Sequence, residues 1–448
     1  MPTPERRPVY SVGATTIRPM ESRDPALAAR VPVLGDRPRL RLLCLALRIP
    51  LPADNGDSMR VLGLLRSLAA CHDVELVCVR RPETDDDAVE MLEGWLAGGL
   101  RVFAPHAPPH PGRRATLRRW AKALAQGDPT WLRAHWNREV AGHLSQIQES
   151  YDAVVFLDNA VTIYWPSIRV TAPFLVDVHN VAGWSGGQAL ASGRRTPARL
   201  LRSSLDTWLM RRSERRSIGT MEGVVVTSDE EARRLSALYG ITADAVVPSA
   251  IDLPHGPLRA IGAGTVGWLG GHGYQPNRDG LLRFVAEAWK PLGRAGYRLL
   301  VAGAEPPAEI LALKHVEGVE ILGYVEDVDV FLSGLDVAVV PLWAGAGVKL
   351  KTVTFLGAGI PLVATSVGIE GTGVIDGVHA LIRESPPDLA AGLQELLVDS
   401  VLAERIGSNG RSLAVQRLTW PCVGAEFVAV VERIAESRAR PSHGDRHR

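Results

Sequence analysis

Short runs of Val, Leu and Ile recur along the chain at Leu40–Leu47, Val74–Val79, Ala153–Leu157, Phe174–Val178 and Gly223–Thr227. Between them lie longer stretches, such as Met59–Ala70 and Glu230–Tyr239, whose apolar positions repeat with helical spacing. Strands apolar on both faces and alternating with helices predict a parallel sheet covered on each side. The pattern restarts after Val247-Pro248-Ser249-Ala250-Ile251-Asp252, with strands expected at Thr265–Leu269, Arg298–Ala302, Val319–Leu322, Val337–Pro341 and Pro361–Thr365. The fold class is therefore α/β, with two Rossmann-like parallel-sheet domains facing a cleft. The expected boundaries are a disordered tail at 1–36, a first domain at 37–248, a second at 249–419, a helix at 420–437 that crosses back to the first domain, and a tail at 438–448. In such sheets ligands bind beyond the carboxyl ends of the strands, so the chemistry is sought in the turns that follow them.

Composition narrows the function classes. The 50 basic and 49 acidic residues nearly cancel, which leaves no global field to attract nucleic acid or an anionic surface. No apolar run reaches the ~18 residues of a membrane span, and residues 1–36 lack the apolar core of a secretory signal. The cysteines, at 44, 71, 78 and 422, have no C-x-x-C spacing, and two fall in strand-like runs, which points to reduced thiols and a cytoplasmic location. Lysine occurs only at 122, 290, 314, 349 and 351, so two lysines of the chain's five stand together in one glycine-rich segment.

That segment runs from Pro341 to Pro361. An expected strand ends in Gly345-Ala346-Gly347, a helix opens at Lys349-Leu350-Lys351, and Gly359-Ile360-Pro361 leads into the next strand. Glycines let the backbone approach a bulky anion, free N–H groups and the helix dipole favour its charge, and an ammonium adds a point charge. Gly-x-Gly with the lysines alone reads rather as a tight turn with solvated lysines; the full register of strand, glycines, lysines, helix and Gly-x-Pro reverses that and reads as a diphosphate cradle.

With these residues in place the chain resembles the glycosyltransferase family 4 enzymes, which have the GT-B fold. The resemblance covers nearly all of residues 38–435. It is carried by Pro52-Ala53-Asp54-Asn55-Gly56-Asp57-Ser58-Met59-Arg60, Asp177-Val178-His179-Asn180, Glu214 ahead of Val224–Ser228, Val247–Asp252, Gly303–Pro306, Gly323-Tyr324-Val325, Gly345–Gly359 and Val363–Gly371, in the family's order. The resemblance implies a nucleotide-sugar donor in the second domain, an acceptor of unknown identity in the first, retention at the anomeric carbon, and no metal or other cofactor. It implies that Lys349 and Lys351 neutralise the donor diphosphate with backbone help from Leu350, Thr352 and Val353, and that Gly345 and Gly347 give it room. It further implies that Gly56 brings the first domain's loop near, that His179 faces the sugar with Asp177 orienting it, and that Gly323-Tyr324-Val325 reads the base. Arg60 either reaches phosphate or pairs with a nearby carboxylate.

Several positions depart from the family pattern. Thr354 stands where a glutamate commonly binds the ribose, Ser249-Ala250 replaces Asn-Gly in the interdomain turn, and an Arg…Lys pair is missing near Gly271–Arg278. Losing a charged hydrogen bond of ~1.5–3 kcal/mol weakens donor binding by roughly 10–100-fold unless another group replaces it. Two arginine clusters, Arg113–Arg119 around Leu117 with Trp120 beside it, and the eight arginines from Arg194 to Arg216, read either as solvated helix faces or as peripheral membrane or anionic-acceptor contacts. Residues 183–197 read as a loop beside the acceptor side. The expectation is a retaining, metal-independent glycosyltransferase acting on a glycan, a lipid-linked sugar or a secondary metabolite. Its rivals are another GT-B nucleotide-sugar enzyme such as an epimerase, and a donor-site-degenerate binding protein.

Overall fold

The computed structural model describes residues 38–105, 121–184, 197–254 and 262–439. The tail at 1–36, the Arg113–Trp120 cluster, most of the 183–197 loop and the C-terminal tail beyond residue 439 lie outside them. The first sheet comprises β1 (Arg41–Leu45), β2 (Asp73–Val79), β3 (Gly99–Phe103), β4 (Ala153–Phe156), β5 (Phe174–Val178), β6 (Gly223–Val226) and β7 (Ala245–Val246). The second comprises β8 (Thr265–Leu269), β9 (Arg298–Ala302), β10 (Val319–Gly323), β11 (Val337–Val340), β12 (Leu362–Ala364) and β13 (Leu381–Ile382). Their orders are β3-β2-β1-β4-β5-β6-β7 and β10-β9-β8-β11-β12-β13, and every pairing is parallel. Each sheet thus reverses its winding beside its first strand, the point where α/β sheets open a crevice.

The alternation of β1 shows why both faces must be covered. Leu42 and Cys44 enter one core with the Gly56–Cys71 helix, while Leu43 and Leu45 enter the core on the opposite face. The Trp420–Ala439 helix joins the first of these cores through Val423, Phe427 and Val431, so the end of the described chain packs on the first domain. Small residues permit that docking: a Cβ on Gly63 would lie 2.3 Å from the Trp420 ring, and one on Gly424 would lie 2.1 Å from Ser67 Oγ. The interdomain turn is tied to the entry of this helix, Ile251 N–H donating to the Leu418 carbonyl at 3.1 Å. Neither Ser249 nor Ala250 adopts a positive φ, so the replaced Asn-Gly pair leaves no strain there.

Strands β3, β7 and β13 were not foreseen in the pattern. Each sits at or next to a sheet edge, where burial is partial and an arginine such as Arg101 is tolerated. Cys44 and Cys78 are buried in strands; Cys71 is half-buried and Cys422 is exposed, so only the strand thiols fit the expectation of burial.

Candidate functional site

The glycine-rich segment forms a turn after β11 and opens the Leu350–Ala358 helix. Gly345 and Gly347 have φ of 125° and 73°, values that side chains resist, and the Tyr274 hydroxyl fills the space beside Gly345, 2.8 Å from where a Cβ would stand. The N-cap residue is Lys349, which has no acceptor atom, so no side chain caps the first turn. The two lysines diverge around this turn. Lys349 is buried, with Nζ donating to the Gly347 carbonyl. Lys351 turns to the end of β8, where Nζ donates to Asn277 Oδ1 at 2.8 Å and lies 4.6 Å from the centre of the Trp268 ring. Burial pushes the Lys349 ammonium down to about 8, Arg234 adding to the effect and Glu370 and Glu231 opposing it. Burial pushes Lys351 down to about 7, assisted by the charge of Lys349.

Across the cleft, β5 delivers Asp177 and His179. Arg60, from the Gly56–Cys71 helix, meets Asp177 in a bidentate pair of 2.7 and 2.6 Å and also donates to the Val247 and Pro248 carbonyls, each at 2.9 Å. Both side chains are buried, Arg60 being 2% and Asp177 0% exposed. His179 Nε2 lies 3.1 Å from Asp177 Oδ2, off the line of a good hydrogen bond, and its Nδ1 lies 3.3 Å from Asp57 Oδ1. Burial alone would lower the imidazole, but the close carboxylates of Asp177 and Asp57 and the field of Asp158 outweigh that and raise it to about 10. His179 is therefore an imidazolium at neutral pH. The Asp57 side chain is 75% exposed, and its carboxyl is held below the usual range chiefly by His179. Asp158 goes the other way, burial raising its carboxyl.

The two sets of residues face each other. A Cβ on Gly56 would lie 3.6 Å from Leu350 Cδ1, and one on Gly347 would lie 3.3 Å from the His179 carbonyl oxygen. Gly347 N–H donates to Glu231 Oε1 at 3.3 Å, and Arg234 joins Glu231 to Glu370 of the second domain. Beside this contact an interdomain cavity of about 470 Å³ is lined by Ser228, Asp229, Glu370, Gly371 and Arg417 among others.

Gly56, Asp177 and His179 of the first domain are thus brought against Gly345, Gly347 and the opening of the Leu350–Ala358 helix, with one correction to the expected roles. Arg60 does not reach toward a phosphate: its guanidinium is spent on Asp177 and two carbonyls inside the first domain, the second of the two roles foreseen for it. Asp177 has that partner as well as His179. The side chains of Thr352 and Val353 are buried, Thr352 Oγ1 donating to the Gly368 carbonyl at 2.7 Å, and their N–H groups donate to the Lys349 carbonyl at 2.9 and 3.3 Å, so the backbone donors left at this helix opening are those of Leu350 and Lys351. Thr354 is half-buried one turn into the helix, and Val325 follows the end of β10. Where the Arg…Lys pair is missing, Arg278 donates to the His272 carbonyl and pairs with Glu309 at 3.5 Å. Sequence reading missed Asp57, Asp158, Glu231, Arg234, Glu370 and Tyr274. Of these, Asp57 and Glu370 carried a signal, the first standing beside Gly56 and the second within Val363–Gly371, both motifs already singled out.

Among the described residues no group of three or more His, Cys, Asp or Glu is arranged to hold a metal ion, and no helix is long and apolar enough to cross a membrane. Two parallel-sheet domains meeting at a glycine loop and a helix N-terminus define the GT-B architecture. The family described as "Glycosyl transferase 4-like domain" matches residues 55–250, and that described as "Glycosyl transferases group 1" matches residues 263–399. The chain belongs to this group of glycosyltransferases, related to family 4. Similar solved structures include sucrose-phosphate synthase from Thermosynechococcus elongatus, with TM-score 0.62 and 16% identity over 89% of this chain and 100% of that one. Another is HepE from Anabaena in complex with UDP and glucose, with TM-score 0.57 and 14% identity over 90% of this chain and 100% of that one. A third is WaaG, a glycosyltransferase involved in lipopolysaccharide biosynthesis, with TM-score 0.55 and 15% identity over 90% of this chain and 100% of that one. At such identities the likeness is one of fold. No curated protein matches the sequence.

Proposed function

We propose that the protein is a retaining glycosyltransferase that moves a sugar from a nucleotide-diphosphate donor, held by the second domain, to an acceptor hydroxyl held by the first, without a metal ion. The observation that carries this reading is the Leu350–Ala358 helix, which has no side-chain cap, carries Lys349 at its N-cap and Lys351 in its first turn, and opens toward His179. As the bond from the anomeric carbon to the diphosphate breaks, charge grows on the β-phosphate. Lys349 and the N–H groups of Leu350 and Lys351 at the helix opening favour that charge more than the intact donor's. His179, already an imidazolium, has no lone pair to take a proton. The acceptor proton passes instead to the departing phosphate oxygen on the same face of the sugar, which retains the anomeric configuration. His179 serves as a fixed positive donor beside the sugar, and the Gly323-Tyr324-Val325 turn after β10 is the proposed reader of the base.

The acceptor is a hydroxyl on a glycan, a lipid-linked sugar or a secondary metabolite. Trp208 and Leu201, 53% and 74% exposed, stand among the exposed Arg202, Arg211, Arg212 and Arg215 on the Pro197–Ile218 helix, which supports contact of the first domain with an anionic lipid surface. The free thiols of Cys44 and Cys78 support a cytoplasmic location.

The test is thermal unfolding with UDP, GDP, TDP and ADP, with and without Mg²⁺, followed by anomer-resolved NMR of donor turnover. A metal-independent shift with one nucleotide and release of product with the donor's anomeric configuration are expected. Thr354 favours a second reading, a degenerate nucleotide-sugar binder, which would give the shift without turnover. Interconversion of free nucleotide sugar without an acceptor would indicate an epimerase.

A further inference from the structure

Glu231 is fully buried, yet it belongs to neither the glycine loop nor the His179 cluster. Its Oε2 accepts the N–H of Val181 at 2.6 Å, two residues beyond His179, and its Oε1 accepts the N–H of Gly347 at 3.3 Å in the opposite domain. Arg234, one turn along the Asp229–Tyr239 helix, donates to Glu231 and also to Glu370 through two bonds of 2.6 and 3.2 Å. Glu370 follows the segment whose Gly368 carbonyl receives Thr352 Oγ1 from the cradle helix. A buried carboxylate is costly unless donors satisfy it, and these donors come from both walls of the cleft.

We infer that Glu231 and Arg234 are positioning residues that carry occupancy of the Gly345–Val353 loop to the His179 loop in the other domain. The inference rests on the reading of Gly345–Val353 as the diphosphate site. The Gly347 bond is the longest that Glu231 makes, and an incoming phosphate oxygen competes for the same N–H. Once that N–H is taken, Glu231 Oε1 is left to Arg234, whose guanidinium is already shared with Glu370. The redistribution tightens Glu231 on the Val181 side, where His179 is also anchored by Thr227 Oγ1 donating to its carbonyl at 3.0 Å. A clip serving stability alone has no reason to end on these two backbone segments.

Hydrogen exchange read by mass spectrometry on the full chain tests this, with whichever of UDP, GDP, TDP or ADP gives the largest thermal shift. In the parent, nucleotide is expected to slow exchange about threefold or more at both 345–353 and 179–184. Arg234→Met is expected to keep the slowing at 345–353 and lose it at 179–184, and Arg234→Lys to restore part of it. Glu370→Gln, which leaves the Glu231 pair intact, serves if Arg234→Met fails to fold, and is expected to weaken the slowing at 179–184. Slowing at 345–353 alone in the parent, or at both segments in Arg234→Met, would overturn the coupling while leaving the donor site standing. Slowing at neither segment in the parent would remove the donor site itself, and the coupling with it.

Discussion

Lys349 and Lys351 are held at about 8 and about 7, well below a free lysine, because the folded chain buries both at the opening of one helix. A diphosphate placed there restores the partner that burial removed and returns both groups to their charged form, so binding takes up protons. With starting values of about 8 and about 7, Lys349 is about half neutral and Lys351 about nine-tenths neutral at pH 8. Full reprotonation then takes up roughly 1.4 protons. The nucleotide adds nothing to this number, since its terminal phosphate, with a pKa of about 6, is already ionised. Between pH 7 and pH 9 the affinity is expected to fall about tenfold through Lys349 and about fiftyfold through Lys351, if each is fully charged when bound.

Isothermal titration at pH 8 in phosphate and in Tris measures the uptake directly, because the observed heat changes with the buffer's own ionisation enthalpy in proportion to the protons moved. The parent is expected to take up roughly 1.4 protons and Lys351→Met about 0.5. Zero uptake or net release, with saturable binding, would refute the assignment of these lysines to the diphosphate. The same lysines act oppositely on the free protein. Their folded pKa values lie below the unfolded one, so the charged form costs stability in full below about 7, and the penalty starts to fall above about 7 and 8 and is gone only near the free-lysine value of about 10.4. His179 runs against this: raised to about 10, it stabilises fully below about 6.5, and the contribution is lost as pH climbs toward about 10. Comparison of the parent with Lys351→Met separates the two.

Four further outcomes are expected. Arg60→Met leaves Asp177 buried without its bidentate partner and should cost about 3–5 kcal/mol in urea unfolding, whereas Arg60→Met with Asp177→Asn should cost less; a loss under about 1 kcal/mol for the single variant would contradict the pairing. Thr354→Glu restores a carboxylate to the ribose position and should tighten nucleotide binding by roughly 10-fold or more; weaker binding would mean that the ribose is held elsewhere. Gly347→Ala forces a side chain to φ 73° against the His179 carbonyl and should reduce both stability and turnover, while Gly56→Ala, whose Cβ meets Leu350 at an ordinary 3.6 Å, should leave stability within about 0.5 kcal/mol, as thermal unfolding of both would report. Co-sedimentation with phosphatidylglycerol vesicles should be lost in Trp208→Ser and in high salt; no binding by the parent would return the arginine face to a solvated one.

What could be read along the chain is what local chemistry fixes. Ten of the thirteen strands among the described residues, the glycine loop and the helix that follows it announce themselves within windows of a few residues, because side-chain periodicity and backbone permissiveness are local properties. The chemistry of the cleft is not local. Arg60 and Asp177 are 117 positions apart, His179 and Asp57 122, and Gly347 and Glu231 116. No motif spans such distances, so the sequence could offer two roles for Arg60 and could not choose between them. The consequence is sharpest at His179. A free imidazole titrates near neutrality, and burial alone would push it lower still. Two carboxylates, Asp177 from its own strand and Asp57 from a helix, instead hold it as a cation to about pH 10. Asp177 is itself kept ionised by Arg60, from that same helix. Residue 179 is thus a fixed charge rather than a base because of side chains that the Gly56–Cys71 helix brings to it, and Asp57→Asn, which keeps the shape and removes one of those charges, is the substitution that would move it back toward titration.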